Sequence, residues 1–260
     1  MMDTLALDID GRGVARLVLR RPEKRNAMDA AMIGELTQAA AQLGADPAVR
    51  VVVLAAEGAA FCAGGDLGWM RAQMAADGPA RAAEARRLAM MLRALDTLPQ
   101  PLIGAIHGDA FGGGVGLACV CDVALAAESA RFGLTEVRLG LIPATIGPYV
   151  LARIGPAMAR RVMLSGRLFD AAEAVRLGVV ARALPPDGLE AAVEDEVAAH
   201  LAAAPGAAAA AKRLVRALAP RVDEAMIEAS IAALVERWES AEAAEGIAAF
   251  FDRRKPGWGR

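Results

Sequence analysis

The chain has 260 residues, with 29 Lys and Arg against 31 Asp and Glu, a formal net charge of −2. A hydrophobic share of 56% excludes an intrinsically disordered chain, and the near-balanced charge argues against a general nucleic-acid binder, which carries a basic surplus. The length leaves open one large domain or a domain with an appendage, and it suffices for a core without covalent staples.

Thr4–Asp10 and Val14–Arg20 have strand character and are joined by Asp10-Gly11-Arg12-Gly13, a hairpin signal. A polar loop, Arg21–Asn26, follows. Asp29 is placed to cap a helix that runs to about Leu43, with Gly44 as its stop. Val49–Ala56 is a short β-branched run that suits a buried strand. The loop 57–65 leads to a helix starting near Asp66. The logic then repeats, with a helix over Ala80–Leu98, a buried strand over Leu102–His107, a glycine loop over Gly108–Gly114, a short helix to about Val120 and a strand over Asp122–Ala127. Strands alternating with helices predict an α/β architecture. Beyond Pro185-Pro186-Asp187-Gly188 the chain turns Ala-rich and helical from Leu189 to Phe251. A boundary is therefore expected near residue 190, between a core (1–190) and a helical region (191–260) whose apolar face is buried on the body or on another subunit.

Cys62, Cys119 and Cys121 are too few for a disulfide framework, and two histidines, His107 and His200, make a His-rich zinc site unexpected. These counts favour a reducing, cytoplasmic setting with no metal. The N-terminus, Met1-Met2-Asp3-Thr4, lacks the basic-then-apolar pattern of a signal peptide. The apolar stretch Gly112–Ala127 is interrupted by Asp122 and falls short of the roughly 20 residues of a membrane span, so no membrane association is expected.

No P-loop or G-x-S-x-G elbow is present, and Gly112-Gly113-Gly114-Val115-Gly116 misses the dinucleotide spacing. Two glycine loops remain, Phe61-Cys62-Ala63-Gly64-Gly65-Asp66-Leu67 and His107-Gly108-Asp109-Ala110-Phe111-Gly112-Gly113-Gly114, each after an expected strand and before a helix start. Backbone N–H groups at such positions favour negative charge, and two converging ones would make an oxyanion hole; tight strand-to-helix turns are the plainer alternative.

With Arg25-Asn26-Ala27-Met28, Phe132-Gly133-Leu134-Thr135-Glu136-Val137 through Pro143, and Phe250-Phe251-Asp252-Arg253-Arg254-Lys255-Pro256, these loops form an ordered set along nearly the whole chain. In that set the sequence resembles the crotonase superfamily, the enoyl-CoA hydratase/isomerase family. The resemblance implies a spiral of repeated β-β-α units with a C-terminal helical trimerisation region. It also implies an acyl-CoA substrate, coenzyme A being part of that substrate and no separate cofactor being needed, and assembly as a homotrimer or a homohexamer built as a dimer of trimers. By that resemblance the N–H groups of Gly65 and Gly113 are the oxyanion-hole donors. Arg25, Ala27, Ala63, Gly64, Asp66 and Leu67 lie along the CoA moiety. Lys24 and Arg25 are phosphate partners, and Lys255 reaches the nucleotide from the tail of the same or a neighbouring subunit.

Family hydratases typically use two glutamates. The second is kept as Glu136, whose apolar neighbours Leu134, Val137 and Leu139 favour partial burial and a raised pKa. The first, two residues after the glycine triplet, is Gly116 here. That departure leaves a Δ3,Δ2-enoyl-CoA isomerase with a single base as the rival of a hydratase. Asp66-Leu67-Gly68-Trp69-Met70 and the stretch Glu136–Tyr149 are similar to a bacterial branch containing 3-methylglutaconyl-CoA hydratases of leucine breakdown, which also carries Gly at that position. This favours a hydratase for a branched, carboxylated enoyl-CoA, with Arg71 or Arg138 as the partner of an acyl carboxylate. His107 and Asp109 are either proton-transfer assistants or ordinary strand-end and turn residues. Trp69 and Met70 line the acyl pocket or pack the core. A non-catalytic acyl-CoA or RNA binder on the same scaffold is the remaining alternative, and the acidic balance opposes the RNA reading.

Overall fold

A computed structural model describes residues 2–219 and 222–259. The expected hairpin is present as β1 (Leu5–Ile9) and β2 (Val14–Leu19), antiparallel, with Asp10 Oδ1 accepting from the N–H groups of Arg12 and Val14 in the turn. Asp29 caps α1 (Ala30–Ala45) by accepting from Met32 N. Gly44 lies inside α1 and does not stop it. A Cβ there would stand 3.4 Å from Pro99 and 3.6 Å from Leu98, so the glycine serves close packing.

β3 (Val51–Ala56) is followed by β4 (Ala60–Cys62), α2 (Leu67–Ala75) and α3 (Gly78–Asp96). The next unit is β5 (Leu102–Ile106), β6 (Asp109–Phe111) and α4 (Gly113–Val120). The third is β7 (Val123–Ala127), β8 (Arg131–Gly133), a 3-10 turn over Glu136–Leu139 and α5 (Gly147–Met163), which is broken at Gly155. β9 (Leu168–Asp170), α6 (Ala171–Leu177) and β10 (Arg182–Leu184) close the series. Each of the three units is therefore strand, strand, helix. The sequence pattern reads the short second strands, β4 and β6, as loop, because three residues carry no measurable alternation.

The first strands build a six-stranded sheet in the order β1-β2-β3-β5-β7-β10, parallel from β2 onward. The second strands build a four-stranded sheet, β4-β6-β8-β9. The larger sheet is covered on both faces, which is why its central strands are apolar throughout. Val52 and Leu54 face the main core with α1, α3 and α4, while Val51 and Val53 face a second cluster with Leu189, Val193 and Val197. Those last residues belong to α7 (Leu189–Leu201), which thus packs on the sheet although it begins at the expected boundary. α8 (Pro205–Leu218), α9 (Glu224–Trp238) and α10 (Ala241–Phe251) complete the helical region. α9 packs on α3 through Ile227 and Ile231, and α10 packs on the 3-10 turn through Ala243 and Ile247. Among the described residues, no helix is long and apolar enough to cross a membrane.

One buried polar side chain joins the first loop to this frame. Asn26 is fully buried at a φ of 54°, accepts from Arg21 N, and donates from Nδ2 to Glu57 O (2.8 Å) and Ala60 O (2.9 Å). Asn tolerates the left-handed region that a β-carbon otherwise disfavours. Asn26→Ala strands these partners, each buried unpaired group costing about 1–3 kcal/mol. Its urea midpoint is expected to fall by an amount equivalent to at least about 2 kcal/mol, with an unchanged slope, in equilibrium unfolding.

Candidate active site

The strap 25–28, held by Asn26, runs alongside the first glycine loop. Ala63 N donates to Arg25 O (3.0 Å), Met28 N to Gly64 O (2.7 Å) and Asp66 N to Met28 O (2.9 Å). This alternation skips the N–H of Gly65, which points to neither strap carbonyl. Gly65 is solvent-exposed and opens on a cleft of about 720 Å3. In the second loop, Gly112 N donates to Gly133 O (2.9 Å). Gly113 then opens α4, so its N–H has no acceptor within the helix. The two loops touch backbone to backbone. A Cβ on Gly64, where φ is +96°, would lie 3.1 Å from Phe111 O, and one on Gly112, where φ is +49°, 3.8 Å from the Cα of Gly64. Two unpaired donors from two loops thus line one cleft.

Glu136 completes this arrangement. It begins the 3-10 turn, and its Oε1 lies 2.9 Å from where a Gly112 Cβ would stand. Oε2 is enclosed and has no hydrogen-bond partner among the described residues. The residue as a whole is half-buried and lines the cleft. Desolvation pushes its pKa up to about 7, outweighing the hydrogen bond from its own backbone N–H. Among the described residues that line the cleft it is the one carboxylate.

The position of the absent first glutamate is filled. Gly116 is buried in α4, and a Cβ there would meet Ile146 Cγ2 at 2.7 Å and Leu92 Cδ1 at 3.7 Å. Ile146 itself lines the cleft, so an aliphatic wall stands where a second carboxylate would be.

Lys24, Arg25, Ala27, Ala63, Gly64, Gly65, Leu67, Gly113 and Glu136 all line the cleft. Asp66 and Lys255 are not among its lining residues. The Asp66 carboxylate is committed to capping α2, accepting from Gly68 N (2.8 Å) and Trp69 N (3.2 Å), and to an ion pair with Arg21. Lys255 is exposed beyond α10. His107 Nε2 stands 2.8 Å from Gly58 O. Asp109 starts β6 and is shared by two guanidiniums, Arg25 at 3.1 Å and Arg131 at 2.6 Å. Burial would raise its pKa, but hydrogen bonds from Arg131 and the charge of Arg25 hold it below the ordinary carboxylate value. Asp109 therefore orients a cation at the cleft mouth and is no proton shuttle. Burial pushes the Cys62 thiol up to about 12, which leaves it protonated and inert.

Trp69 and Met70 both line the cleft. The Trp69 ring packs 3.7 Å from where a Gly65 Cβ would be, and its Nε1 donates to Glu84 (3.1 Å). Arg138 lines the cleft beside Glu136, whereas the Arg71 guanidinium sits 4.3 Å from the centre of the Phe251 ring. Sequence reasoning missed the far wall, made by Leu168, Leu234, Trp238 and Phe250. For Leu234, Trp238 and Phe250 the signal was apolar residues on tail helices, Phe250 also within the family motif, and that signal equally suits a subunit interface; Leu168 of β9 carried none.

The sequence profile of the family described as enoyl-CoA hydratase/isomerase matches residues 10–260. The chain belongs to this family. A solved enoyl-CoA hydratase from Shewanella pealeana is 38% identical with a TM-score of 0.82, covering 99% of this chain and 97% of its own. The solved Pseudomonas aeruginosa AtuE is 40% identical with a TM-score of 0.81, over 99% of this chain and all of the other. A Thermus thermophilus protein named provisionally as an enoyl-CoA hydratase is 37% identical over 94% of this chain and 96% of its own length. The crotonase-type spiral expected from the sequence is thus the fold of this chain.

The buried carboxylate has a measurable signature apart from turnover. Between the ordinary value of 4.5 and about 7, the folded protein holds a proton on Glu136 that the unfolded chain has released. Stability therefore falls as pH rises through that window. Glu136→Gln removes this dependence, and is expected to exceed the parent in denaturation midpoint at pH 8 and to match it near pH 4.5.

Proposed function

We propose that this enzyme is an enoyl-CoA hydratase, adding water across the 2,3 double bond of an acyl-CoA thioester. The reading rests on one juxtaposition: the desolvated Glu136 carboxylate, its Oε2 without a partner among the described residues, beside the two loops that present Gly65 and Gly113 N–H groups. In it, Glu136 takes a proton from water, and the hydroxyl oxygen bonds to C3. The double-bond electrons move onto the thioester oxygen, held by the N–H groups of Gly65 and Gly113. The enolate then collapses, and C2 takes the proton back from Glu136. A pKa near 7 suits a group that must both accept and return a proton at neutral pH. Each oxyanion donor contributes about 10²–10³ in rate in comparable sites.

Lys24 and Arg25 at the cleft mouth take the phosphates of CoA, and Arg25 is held for this by Asp109. Ala27, Ala63, Gly64 and Leu67 border the CoA moiety, Asp66 supports that border by capping α2, and Lys255 joins it from a neighbouring subunit of a trimer or a dimer of trimers in the cytoplasm. The acyl group is branched and carboxylated, 3-methylglutaconyl-CoA being the type. The apolar far wall takes the branch, and Arg138 faces the carboxylate. The relatives named enoyl-CoA hydratase support the reaction class.

One observation favours a second reading. With Ile146 in place of a second carboxylate, the site holds one base, and moving a proton between C4 and C2 of a 3-enoyl-CoA needs no more. Loss of the conjugated enoyl-thioester absorbance separates the two. The hydratase consumes it from 3-methylglutaconyl-CoA faster than from crotonyl-CoA; an isomerase instead generates it from a 3-enoyl-CoA and leaves both conjugated substrates unchanged. Glu136→Gln is expected to lower kcat by about 10²-fold or more while acyl-CoA binding, read by calorimetry, survives.

A further inference from the structure

The geometry points to Arg237 as a positioning residue for Glu136, with α9 and α10 acting as the support of the catalytic turn and not as an assembly element alone. This rests on the assignment of Glu136 as the acid–base group. The turn Glu136–Leu139 has little regular structure of its own to hold it. It is closed by Gly140, at a φ of 72°, whose N–H reaches Val137 O at 3.3 Å, and Leu141 N donates to Glu136 O at 3.1 Å. The Gly140 carbonyl is taken by a single side chain. Arg237 donates to it from both Nε (3.1 Å) and Nη2 (2.9 Å), and Nη2 also donates to Glu242 Oε2 at 2.6 Å. One guanidinium thus ties the end of α9, the start of α10 and the exit of the turn together. Its planar fork suits this task, since an ammonium cannot present two fixed donors to one oxygen and a third bond to a carboxylate.

The backbones meet as closely as the side chains. A Cβ on Gly140 would collide with the main chain at Glu242 and Ala243, and one on Gly246 would lie 2.5 Å from Leu139 O. Two glycines, one on each partner, therefore let α10 lie flat on the turn, sealed by Leu141, Ala243 and Ile247. Oε2 of the Glu136 carboxylate has no hydrogen-bond partner among the described residues, and the hydrogen bond the group does receive comes from its own backbone N–H, so the backbone of the turn sets its aim. Fixing that backbone is what the tail does. The charged groups that face the turn are Arg138 on the turn itself, Lys24 and Arg25 across the cleft, and Arg237 with Glu242 from the tail.

The test compares Arg237→Met, Arg237→Lys and Glu136→Gln, each alone, and Arg237→Met combined with Glu136→Gln, in steady-state kinetics across pH. Arg237→Met is expected to lower kcat about 10-fold with KM changed less than 3-fold, and Arg237→Lys to fall between it and the parent. Loosening the turn admits water to the carboxylate, so the acid limb of kcat/KM, near pH 7 in the parent, moves down by half a unit or more. In the Glu136→Gln background, Arg237→Met should lower the residual rate less than 2-fold. An unshifted acid limb, or equal losses in both backgrounds, would assign Arg237 a merely structural role and overturn the inference. If Glu136→Gln retains its turnover, the acid–base assignment itself has failed; if it does not and Arg237→Met is fully active, only the positioning claim has.

Discussion

The approach of Gly64 to Gly112 is the contact on which the cleft depends. Two peptide chains can come that close only where neither carries a side chain, and each glycine there also sits in a backbone region that β-carbons disfavour. Both loops are consequences of the two-sheet arrangement. β4 and β6 are parallel neighbours in the smaller sheet, so the residues just past their ends must emerge side by side. The strap 25–28 spends its hydrogen bonds on Ala63, Gly64 and Asp66 and skips Gly65, while the start of α4 leaves Gly113 unpaired. Unpaired main-chain donors are tolerated because the cleft is open at that point, where water or a ligand oxygen satisfies them.

The electrostatics of the cleft are divided. Its mouth is cationic, with Lys24 and Arg25, and Asp109 fixes Arg25 by sharing its charge between that residue and Arg131. Its interior is largely aliphatic and aromatic and holds the single carboxylate of Glu136. The same desolvation that lifts that group toward neutrality makes its charged form a cost to the folded chain. Site and stability are therefore in tension at one residue, and Ile146, by occupying the space over Gly116, keeps a second carboxylate from sharing the load.

The helical region divides as well. α7 is a layer of the body, its Val193 and Val197 packed on the sheet. α9 and α10 instead furnish the far wall of the cleft through Leu234, Trp238 and Phe250 and press on the turn that bears Glu136. α8 holds to the body by polar contacts, with Lys212 on Asp122 at 2.6 Å and Arg216 on Asp96 at 3.2 Å, while Leu214, Val215 and Leu218 stay exposed on the single chain.

The sequence by itself determined the elements whose cause is local. The Asp10 turn, the cap at Asp29, the helix start near Asp66, the buried runs of β3, β5 and β7 and the Ala-rich tail helices all follow from residues within one turn or strand of one another. The glycine loops and Glu136 were legible for the same reason, each being a compact motif. Tertiary structure decided what depends on residues far apart in the chain. Three-residue strands such as β4 and β6 have too few side chains to display a period, so only their pairing reveals them. Asp109 became a partner of Arg25 and Arg131 because separate elements brought two guanidiniums to it. Whether Gly116 marks a lost carboxylate or a packed wall depended on Ile146, thirty residues away, and the support of the Glu136 turn, whose partial burial its apolar neighbours already suggested, on the tail folding back over it. Desolvation and steric exclusion are properties of a place in three dimensions, and no window of sequence contains them.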